Sequence, residues 1–543
     1  MAAAAPAAPL PAEHRKVIVA SSLGALFEWY DFYLYGALAS IIAQQFFAAL
    51  EPRPALAFTL LAFAAGFVVR PLGALLFGRL GDLLGRKYTF LVTLLLMGTA
   101  TFLVGLLPAQ DSIGAAAPVA LVLLRLLQGL AIGGEYGGVV TYVAEHAPPG
   151  RRGWYTGWIQ TTATLGLLLA LLVIHGVRSL LGAAAFADWG WRLPFLLSIV
   201  LVVVGVWVRL ALQESPAFRR IKQAGRSARR PLAEAFGRWD NGRLVLVALF
   251  GLVAGQAVVW YTGQFQALYF LTWQLRVDEA TASLLVAAAL ALGAPLFVAF
   301  GALSDRIGRK PIILGGCLLA ALGYFGLFEA LAEAANPALV RAQASVAVRL
   351  SAAPHACRVA FDPIGAVRSQ RPCDVARRHL AERSVRYVSE SASGPVRVSI
   401  DGHVVEVNGE GAAGDAASRR ALDAALDAAG YPARADPTRI DRPRVVGLLW
   451  LLMVLVAMVY GPIAAMLVEM FPTRVRCSSV SLPYHIGNGW FGGLLPATGF
   501  AIVAQTGNMY DGLWYPIVIA LMTFVIGMLF VRETRHVDIY AKD

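Results

Sequence analysis

The feature that most constrains this chain is a series of long apolar blocks separated by short polar connections. A helix needs about 20 apolar residues to cross a bilayer. The blocks run over residues 16 to 40, 55 to 79, 88 to 107, 117 to 140, 154 to 176, 192 to 213, 244 to 272, 279 to 302, 311 to 332, 444 to 468, 477 to 505 and 512 to 532. The pattern predicts an all-α polytopic membrane protein with twelve transmembrane helices.

The composition excludes an ordinary soluble enzyme. Of the 543 residues, 58% are hydrophobic and 15% are charged, with a mean hydropathy of +0.63, whereas soluble domains carry about 25% charged residues. The net charge of +12 would suggest nucleic acid in a soluble protein. Here most of it lies in loops between apolar blocks, so we expect a lipid bilayer as the surroundings and no nucleic-acid partner.

Loop charges predict the orientation of the chain in the membrane. With the N-terminus inside, the cytoplasmic loops carry 18 cations and the short outer connections carry four, which follows the positive-inside rule. The first block contains Glu28 and Asp31, so we interpret it as a retained helix rather than a signal peptide. We expect a multi-pass protein of a bacterial inner membrane, with both termini cytoplasmic.

A basic connector divides the predicted helices six and six, as in transporters built from two repeats. The predicted domains are a tail 1–15, a six-helix half 16–213, a connector 214–243, helices 7–9 at 244–332, an inserted domain 333–443, helices 10–12 at 444–532 and a tail 533–543.

The inserted domain of 111 residues contains no spanning block, and the topology makes it extracytoplasmic. Helices are predicted near 373–382 and 418–429. Alternating valines around Asp401 and Gly402 predict a hairpin, so we expect a small α+β domain. Its two cysteines, Cys357 and Cys373, lie outside the reducing cytosol, which favours a disulfide over two unpaired thiols.

One ten-residue string occurs twice, at corresponding places in the two halves. The string G-x-L-x-D-x-x-G-R-K covers residues 78–87 after helix 2 and residues 301–310 after helix 8, which indicates internal duplication. Its glycines permit tight turns, and its charges can form breakable ion pairs. The predicted conformational gating residues are Gly78, Asp82, Gly85, Arg86, Gly301, Asp305, Gly308 and Arg309.

The two strings closely resemble the signature loop of the major facilitator superfamily. Further strings, at 28–32, 70–73, 125–138, 214–218 and 469–476, resemble the metabolite:proton symporter family within it. The resemblance implies two six-helix halves that alternate access to a central site. It also associates the arginine of helix 4 with proton coupling.

Buried charges are the candidates for transport chemistry, because a charge in the hydrocarbon core is costly unless it faces a cavity and a partner. Glu28, Asp31 and Tyr35 lie on one face of helix 1. Glu135 lies on a polar face of helix 4. We predict proton binding at Asp31, Glu135 and Glu28, since desolvation raises the pKa of a carboxyl and a nearby arginine lowers it. Permanent structural ion pairs are the alternative.

Arginines in the apolar blocks favour an anionic substrate, since a guanidinium offers a fixed fork of donors to a carboxylate. Helix–helix hydrogen bonding is the alternative for the polar groups of the second half. For His485, we weigh a second proton relay against a core histidine. The predicted substrate-binding residues are Arg70, Arg125, Tyr35, Gln128, Gln256, Trp260, Gln264, Tyr484 and Asn488.

The predicted function is proton-coupled symport of a small organic acid, a mono-, di- or tricarboxylate, by a protein that works as a monomer. Protons are the coupling ion, and no cofactor is expected. The sequence has no metal cluster, phosphate loop or nucleophile elbow, so we do not expect an enzyme. Alternatives are symport of zwitterionic osmolytes such as proline or betaine, and a transporter-derived receptor that uses the outer domain.

Overall fold

The computed structural model describes residues 12–48, 52–210, 213–225, 228–353, 356–357, 371–408 and 411–539. The predicted N-terminal tail is thus described only from residue 12, and the C-terminal tail only to residue 539. The fold is mostly helical. The first part forms the long helices α1 (Ala12–Ala37), α2 (Pro52–Leu83), α3 (Arg86–Leu106), α4 (Ala116–His146), α5 (Arg152–Leu181) and α6 (Arg192–Leu210).

The second part continues the helical bundle and contains the insertion. Its helices are α7 (Trp239–Gln274), α8 (Glu279–Ile307), α9 (Arg309–Ala335), α10 (Pro337–Ser345), α11 (Pro372–Glu382), α12 (Gly411–Ala428), α13 (Arg442–Met470), α14 (Arg476–Ile486), α15 (Leu495–Thr506) and α16 (Asp511–Phe530). Short helices occupy Ala39–Phe46, Gln110–Ile113, Ala183–Ala185, Pro216–Gln223 and Pro231–Phe236.

Within the described residues, nine helices are long and apolar enough to cross a membrane. They are α3 to α9, α13 and α16. Helix α2 packs along α4 and α14, and α1 packs along α5, so these further helices are part of the same bundle. The halves meet where α5 crosses α8: a Cβ at Gly153 would collide with the Gly301 carbonyl oxygen.

Two helices of the second half are locally widened into π-helix. Helix α7 contains π segments at Leu249–Val253, Thr262–Gln266 and Phe270–Gln274, and Gly487–Gly492 forms another after α14. π segments occur mainly at functional positions of helices, and both of these helices carry predicted substrate residues.

Some predicted boundaries differ from the structure. The first block was predicted as one helix to residue 40, but α1 ends at Ala37 and a new helix begins at Ala39. Helix α7 begins at Trp239, inside the predicted connector, and two short helices also lie there. The reason is that polar first turns extend a helix beyond its apolar stretch, which hydropathy alone does not detect.

Between α9 and α13 the chain forms a four-stranded sheet with helices α10 to α12. Its strands, β1 (Val348–Ala352), β2 (Val388–Ser391), β3 (Arg397–Ile400) and β4 (His403–Glu406), are ordered β2-β1-β3-β4. The β3–β4 pair is antiparallel, with Ile400 opposite His403, so the predicted hairpin is confirmed. A disulfide joins Cys357 and Cys373, whose Cα atoms are 5.2 Å apart.

The insertion is attached to the second half of the bundle. The backbone N–H of Tyr387 donates to the Gly507 carbonyl (3.3 Å), and the Tyr387 hydroxyl donates to Ala504 (3.1 Å). Arg276, just after α7, donates to the Glu382 carbonyl (2.8 Å). We call this end of the bundle the insertion face. The opposite end, which carries residues 78–87 and 301–310, is the motif face.

Candidate functional site

A central cavity lies between the two halves of the bundle. Helices α1, α2, α4 and α5 contribute one wall, and α13 and α14 contribute the other. Its lining combines charged, amide and aromatic groups, which is the composition of a small-molecule site. The lining residues are Ala25, Glu28, Trp29, Arg70, Ile132, Glu135, Tyr136, Val139, Ile159, Gln160, Tyr460, Tyr484 and His485.

Two acids of the cavity share one guanidinium. The Nη2 atom of Arg209, on α6, lies 3.2 Å from Glu28 Oε1 and 3.3 Å from Glu135 Oε1. All three side chains are almost fully buried. Space for the guanidinium depends on Gly24, where a Cβ would collide with Arg209. Three helices, α1, α4 and α6, are therefore joined by one buried charge cluster.

Asp31 lies one turn beyond Glu28 on α1 and is 3% exposed. Among the described residues it forms no ion pair within 4 Å, and its Oδ1 has no hydrogen-bond partner. A buried carboxylate without a cation is costly unless it takes up a proton. Asp31 is not part of the cavity lining, but Glu28 connects it to the cavity through one helical turn.

Arg70 lies in the cavity without a carboxylate partner within 4 Å among the described residues. Its guanidinium stacks on the rings of Phe67 (4.2 Å) and Phe32 (4.6 Å). Its Nε and Nη2 have no hydrogen-bond partner in the part of the chain described. The aromatic rings hold the guanidinium in place by cation–π contact, while Nε and Nη2 keep donor capacity that no described group uses.

The other predicted first-half substrate residues form a separate cluster outside the cavity lining. Arg125 stacks on the Tyr35 ring (4.2 Å) and donates to Gln128 Oε1 (2.6 Å). Gln128 donates to Thr101 (2.7 Å), and the Tyr35 hydroxyl donates to the Thr59 carbonyl (3.1 Å). These contacts hold α1, α2, α3 and α4 together.

In the second half, the structure separates the predicted substrate residues. Tyr484 lines the cavity, and its hydroxyl lies 2.9 Å from that of Tyr460. Gln256 and Asn488 exchange amide hydrogen bonds of 3.4 and 3.3 Å, which connect α7 to the π segment after α14. Helix–helix bonding was the alternative for these two residues.

Trp260 and Gln264 are buried on α7 but do not line the cavity. The Trp260 ring contacts Trp29 of the first half at 6.2 Å, and Phe265 contacts Tyr33 at 6.1 Å. These aromatic contacts join the two halves at the level of the cavity and towards the insertion face. Here the two halves are held together by aromatic packing, and these contacts include no ion pair among the described residues.

The first copy of the repeated motif binds across to the second half. The Asp82 carboxylate accepts hydrogen bonds from the backbone N–H groups of Cys477 (3.1 Å) and Ser478 (3.0 Å), at the start of α14. A carboxylate is stabilised at a helix N-terminus by the free N–H groups and the helix dipole. Arg86 lies 3.7 Å from Asp82 and from Glu145, and Arg476 donates to Glu145 (2.7 Å).

The second copy repeats this arrangement in the opposite direction. The Asp305 carboxylate accepts from the backbone N–H groups of Gly153 (2.9 Å) and Trp154 (2.8 Å), at the start of α5. Arg309 pairs with Glu469 (3.1 Å), which also lies 3.5 Å from Arg152. Each motif therefore anchors the first turn of a helix in the other half, and the motif face is closed.

A further pair of acids fixes the motif turns. Glu214 accepts from the backbone N–H groups of Arg86 and Lys87, and Glu533 accepts from those of Arg309 and Lys310, at 2.9 to 3.2 Å. Burial works against ionisation of Glu533, but these backbone donors hold its pKa below the ordinary value. The turns themselves need glycine, since Gly85 has φ 123° and Gly308 has φ 109°.

Sequence reasoning missed Arg209, Glu145, Glu469 and Gln160. Arg209 lies in the last turn of α6, inside the predicted apolar block 192–213, and was not considered with the other buried charges. Glu145 lies at the end of α4, beyond the predicted block 117–140. One signal was available for the two glutamates. Each lies where its helix ends at the motif face, at corresponding places in the two halves, which duplication makes informative.

Two family profiles match the chain. The profile described as sugar (and other) transporter matches residues 16–243, and that described as MFS/sugar transport protein matches residues 147–353. The chain is 35% identical to the proline/betaine transporter of Escherichia coli K12 over 56% of its own length. It spans only 62% of that relative, less than two thirds. It is 37% identical to the alpha-ketoglutarate permease of the same organism, over 59% of this chain and 72% of that protein.

The overall architecture also has solved counterparts. The proton:xylose symporter XylE of E. coli, bound to 6-bromo-6-deoxy-D-glucose, matches with a TM-score of 0.61 at 15% identity, over 97% of this chain and 98% of that chain. A likeness at this identity concerns the fold. Together with the duplicated motifs, the apolar helices and the permease likeness, it shows that this chain belongs to the major facilitator superfamily of membrane transporters.

Proposed function

We propose that the chain is a proton-coupled symporter of a small organic acid and a member of the metabolite:proton symporter family. The observation that carries this proposal is the cavity, where an arginine without a carboxylate partner among the described residues faces a cluster of acids. Arg70 provides the anion site, and the acids provide the proton site. The likeness to a permease named for alpha-ketoglutarate supports an organic acid as substrate.

The proton sites are the carboxyls of Asp31, Glu28 and Glu135. Only one guanidinium, that of Arg209, pairs with any of them within 4 Å among the described residues. Three ionised carboxyls and one arginine carry −3 + 1 = −2, which is costly in a buried cluster. Protons taken up by these carboxyls remove the excess negative charge. We therefore expect the change from one open side to the other to require protonation.

In this proposal the two motif networks hold the motif face closed, on the cytoplasmic side. Helices α1, α2 and the α14–α15 pair complete twelve membrane-spanning helices with the nine described above. The insertion is extracytoplasmic and moves with the second half, to which it is bonded. The division into domains 1–15, 16–213, 214–243, 244–332, 333–443, 444–532 and 533–543 stays a proposal, as does function as a monomer.

The test is uptake into proteoliposomes under an imposed inward proton gradient. A panel of mono-, di- and tricarboxylates is offered as competitors. We expect an accumulated acid whose uptake stops when a protonophore collapses the gradient. Uptake that is unaffected by the protonophore, or that is retained after Asp31→Asn combined with Glu135→Gln, would contradict the proposal.

A second candidate is symport of a zwitterionic osmolyte. The observation in its favour is the aromatic wall of Trp29, Tyr136, Tyr460 and Tyr484 beside Arg70, because aromatic faces attract ammonium groups while the arginine takes the carboxylate. The likeness to a proline/betaine transporter points the same way. Including proline and betaine in the competition panel separates the two candidates.

A further inference from the structure

Three buried side chains of the cavity have polar atoms without a hydrogen-bond partner among the described residues. They are Nε and Nη2 of Arg70, Oε1 of Gln160 and both ring nitrogens of His485. The three side chains are 2%, 1% and 1% exposed. They come from α2, α5 and α14, so they represent both halves of the bundle.

The orientation of the Gln160 amide is fixed by its neighbours. Its Nε2 donates to the Tyr460 carbonyl oxygen (2.9 Å) and to the Tyr136 hydroxyl (2.9 Å). A carbonyl oxygen can only accept, so the nitrogen of the amide must be the atom that faces Tyr460. Both amide hydrogens are thereby used, and Gln160 offers a ligand only its acceptor, Oε1.

A buried acceptor left without a donor weakens a complex, because the desolvation of that group is not compensated. A ligand that carries a hydroxyl can donate to Gln160 Oε1, whereas the same ligand without the hydroxyl leaves the oxygen unsatisfied. A hydroxyl also accepts a hydrogen bond. A neutral imidazole at His485 has one N–H to donate, which an ammonium group on the ligand could not accept.

We propose that the cavity selects hydroxy acids over the same acids without the hydroxyl. The carboxylate binds the free donors of Arg70, and the hydroxyl donates to Gln160 Oε1 and accepts from His485. This proposal rests on the proposed function, since it specifies the substrate class of the same cavity. It assigns specificity to Gln160 and His485, neither of which belongs to the proton cluster.

The experiment measures binding of matched acid pairs to the purified full-length chain. The pairs are malate and succinate, lactate and propionate, and citrate and tricarballylate. Binding is followed by the tryptophan fluorescence of the chain, which includes Trp29 in the cavity lining. We expect the hydroxy acid of at least one pair to bind about ten-fold or more tightly, a factor that corresponds to about 1.4 kcal/mol.

Two variants locate the origin of the preference. Gln160→Leu removes the acceptor, so the ratio within the pair should fall towards one, mainly through weaker binding of the hydroxy acid. Gln160→Met serves if the leucine variant does not fold. Thr162→Val is the matched control on the same helix: its hydroxyl bonds locally to Ile159, and it lies outside the cavity lining.

The outcomes separate this proposal from the proposed function. Equal binding within every pair, with proton-driven acid uptake intact, overturns the hydroxy-acid proposal alone. A preference that persists in both Gln160 variants overturns the assignment to Gln160. If no acid of any pair binds or is transported, both proposals fall. The measurements on the unaltered chain decide whether the hydroxyl preference exists and whether any acid binds, even where a variant is unstable.

Discussion

The motif face and the central cavity both contain buried acids and arginines, but they differ in how these charges are paired. At the motif face, the aspartates, arginines and glutamates of the two paired networks correspond between the halves. Asp82 corresponds to Asp305 and Glu145 to Glu469, and all four have partners across or within the network. In the cavity lining, the acids and the arginine come only from the first half, and Arg70 has no ion-pair partner among the described residues. Asp31, one helical turn from the lining, has none among them either.

The difference indicates which parts of the duplication hold a conformation and which bind ligands. A fully paired network stabilises one arrangement of the halves and needs nothing added to it. A buried charge without a partner is stable only with a ligand or a proton. The second half contributes no acid or arginine to the cavity lining. The net charge of the site with a bound anion and proton therefore depends on residues of the first half.

The largest effect should come from removing Arg209, which among the described residues is the cation that pairs with Glu28 and Glu135. Arg209→Ala leaves Glu28 and Glu135 without a guanidinium, and breaking a buried pair costs about 3–5 kcal/mol. We expect little folded protein in membranes, measured by fluorescence-detected size exclusion. Adding Glu28→Gln and Glu135→Gln should restore the folded protein but not proton-driven uptake. Normal stability of Arg209→Ala would contradict the pairing.

Arg70 is the contrasting case to Arg209, since it has no acid partner among the described residues. Arg70→Ala should leave the melting temperature unchanged or higher, while acid binding weakens about 10- to 100-fold, because hydrogen bonds to charged groups contribute about 1.5–3 kcal/mol. Arg70→Lys keeps the charge but loses the fork, so it should recover only part of the binding. A marked loss of stability in Arg70→Ala would remove the contrast with Arg209.

The two motif aspartates should behave alike if the networks are equivalent. Asp82→Asn and Asp305→Asn each weaken charge-assisted bonds to a helix N-terminus, by about 1.5–3 kcal/mol. The native Cys477 is 1% exposed at this face, so a membrane-permeant maleimide reports opening. We expect both variants to speed labelling by about ten-fold or more, with Cys477→Ser as the control for labelling at other cysteines.

Faster labelling of Cys477 in only one of the two aspartate variants would show that a single network keeps the motif face closed. Since Asp305 does not contact Cys477 in the contacts described here, acceleration by Asp305→Asn is the stricter test that the two networks close the same face.

The smallest effect concerns two glycines of α4, of which Gly133 packs against the backbone of Arg70. A Cβ at Gly133 would collide with the Arg70 carbonyl oxygen, whereas a Cβ at Gly138 has no atom within 4 Å. Gly133→Ala should cost about 1–3 kcal/mol through overpacking and weaken acid binding. Gly138→Ala should stabilise the helix by about 0.5–1 kcal/mol with binding unchanged. Thermal melts and fluorescence titrations of the two variants measure the difference.

The sequence predicted the helical architecture and the two motifs because hydropathy and repetition are local signals. It did not predict the partners of Asp82 and Asp305, which lie more than 150 residues away in the chain. Arg209 lies inside the predicted apolar block 192–213, but its partners Glu28 and Glu135 lie on other helices that only the fold brings to it. The hairpin around Asp401 was predictable from alternation, but the parallel pairing of β1 with β2 depends on a long connection that sequence patterns do not encode.

The central claim is that Arg70 of the cavity binds the acid while the carboxyls of Glu28, Asp31 and Glu135 take up the protons that travel with it. The most direct measurement is the external pH of weakly buffered proteoliposomes when a transported acid is added without any gradient. The unaltered chain should alkalinise the medium as acid enters. Asp31→Asn with Glu135→Gln should bind the acid without a pH change. Acid entry through the unaltered chain with no movement of protons would contradict the claim.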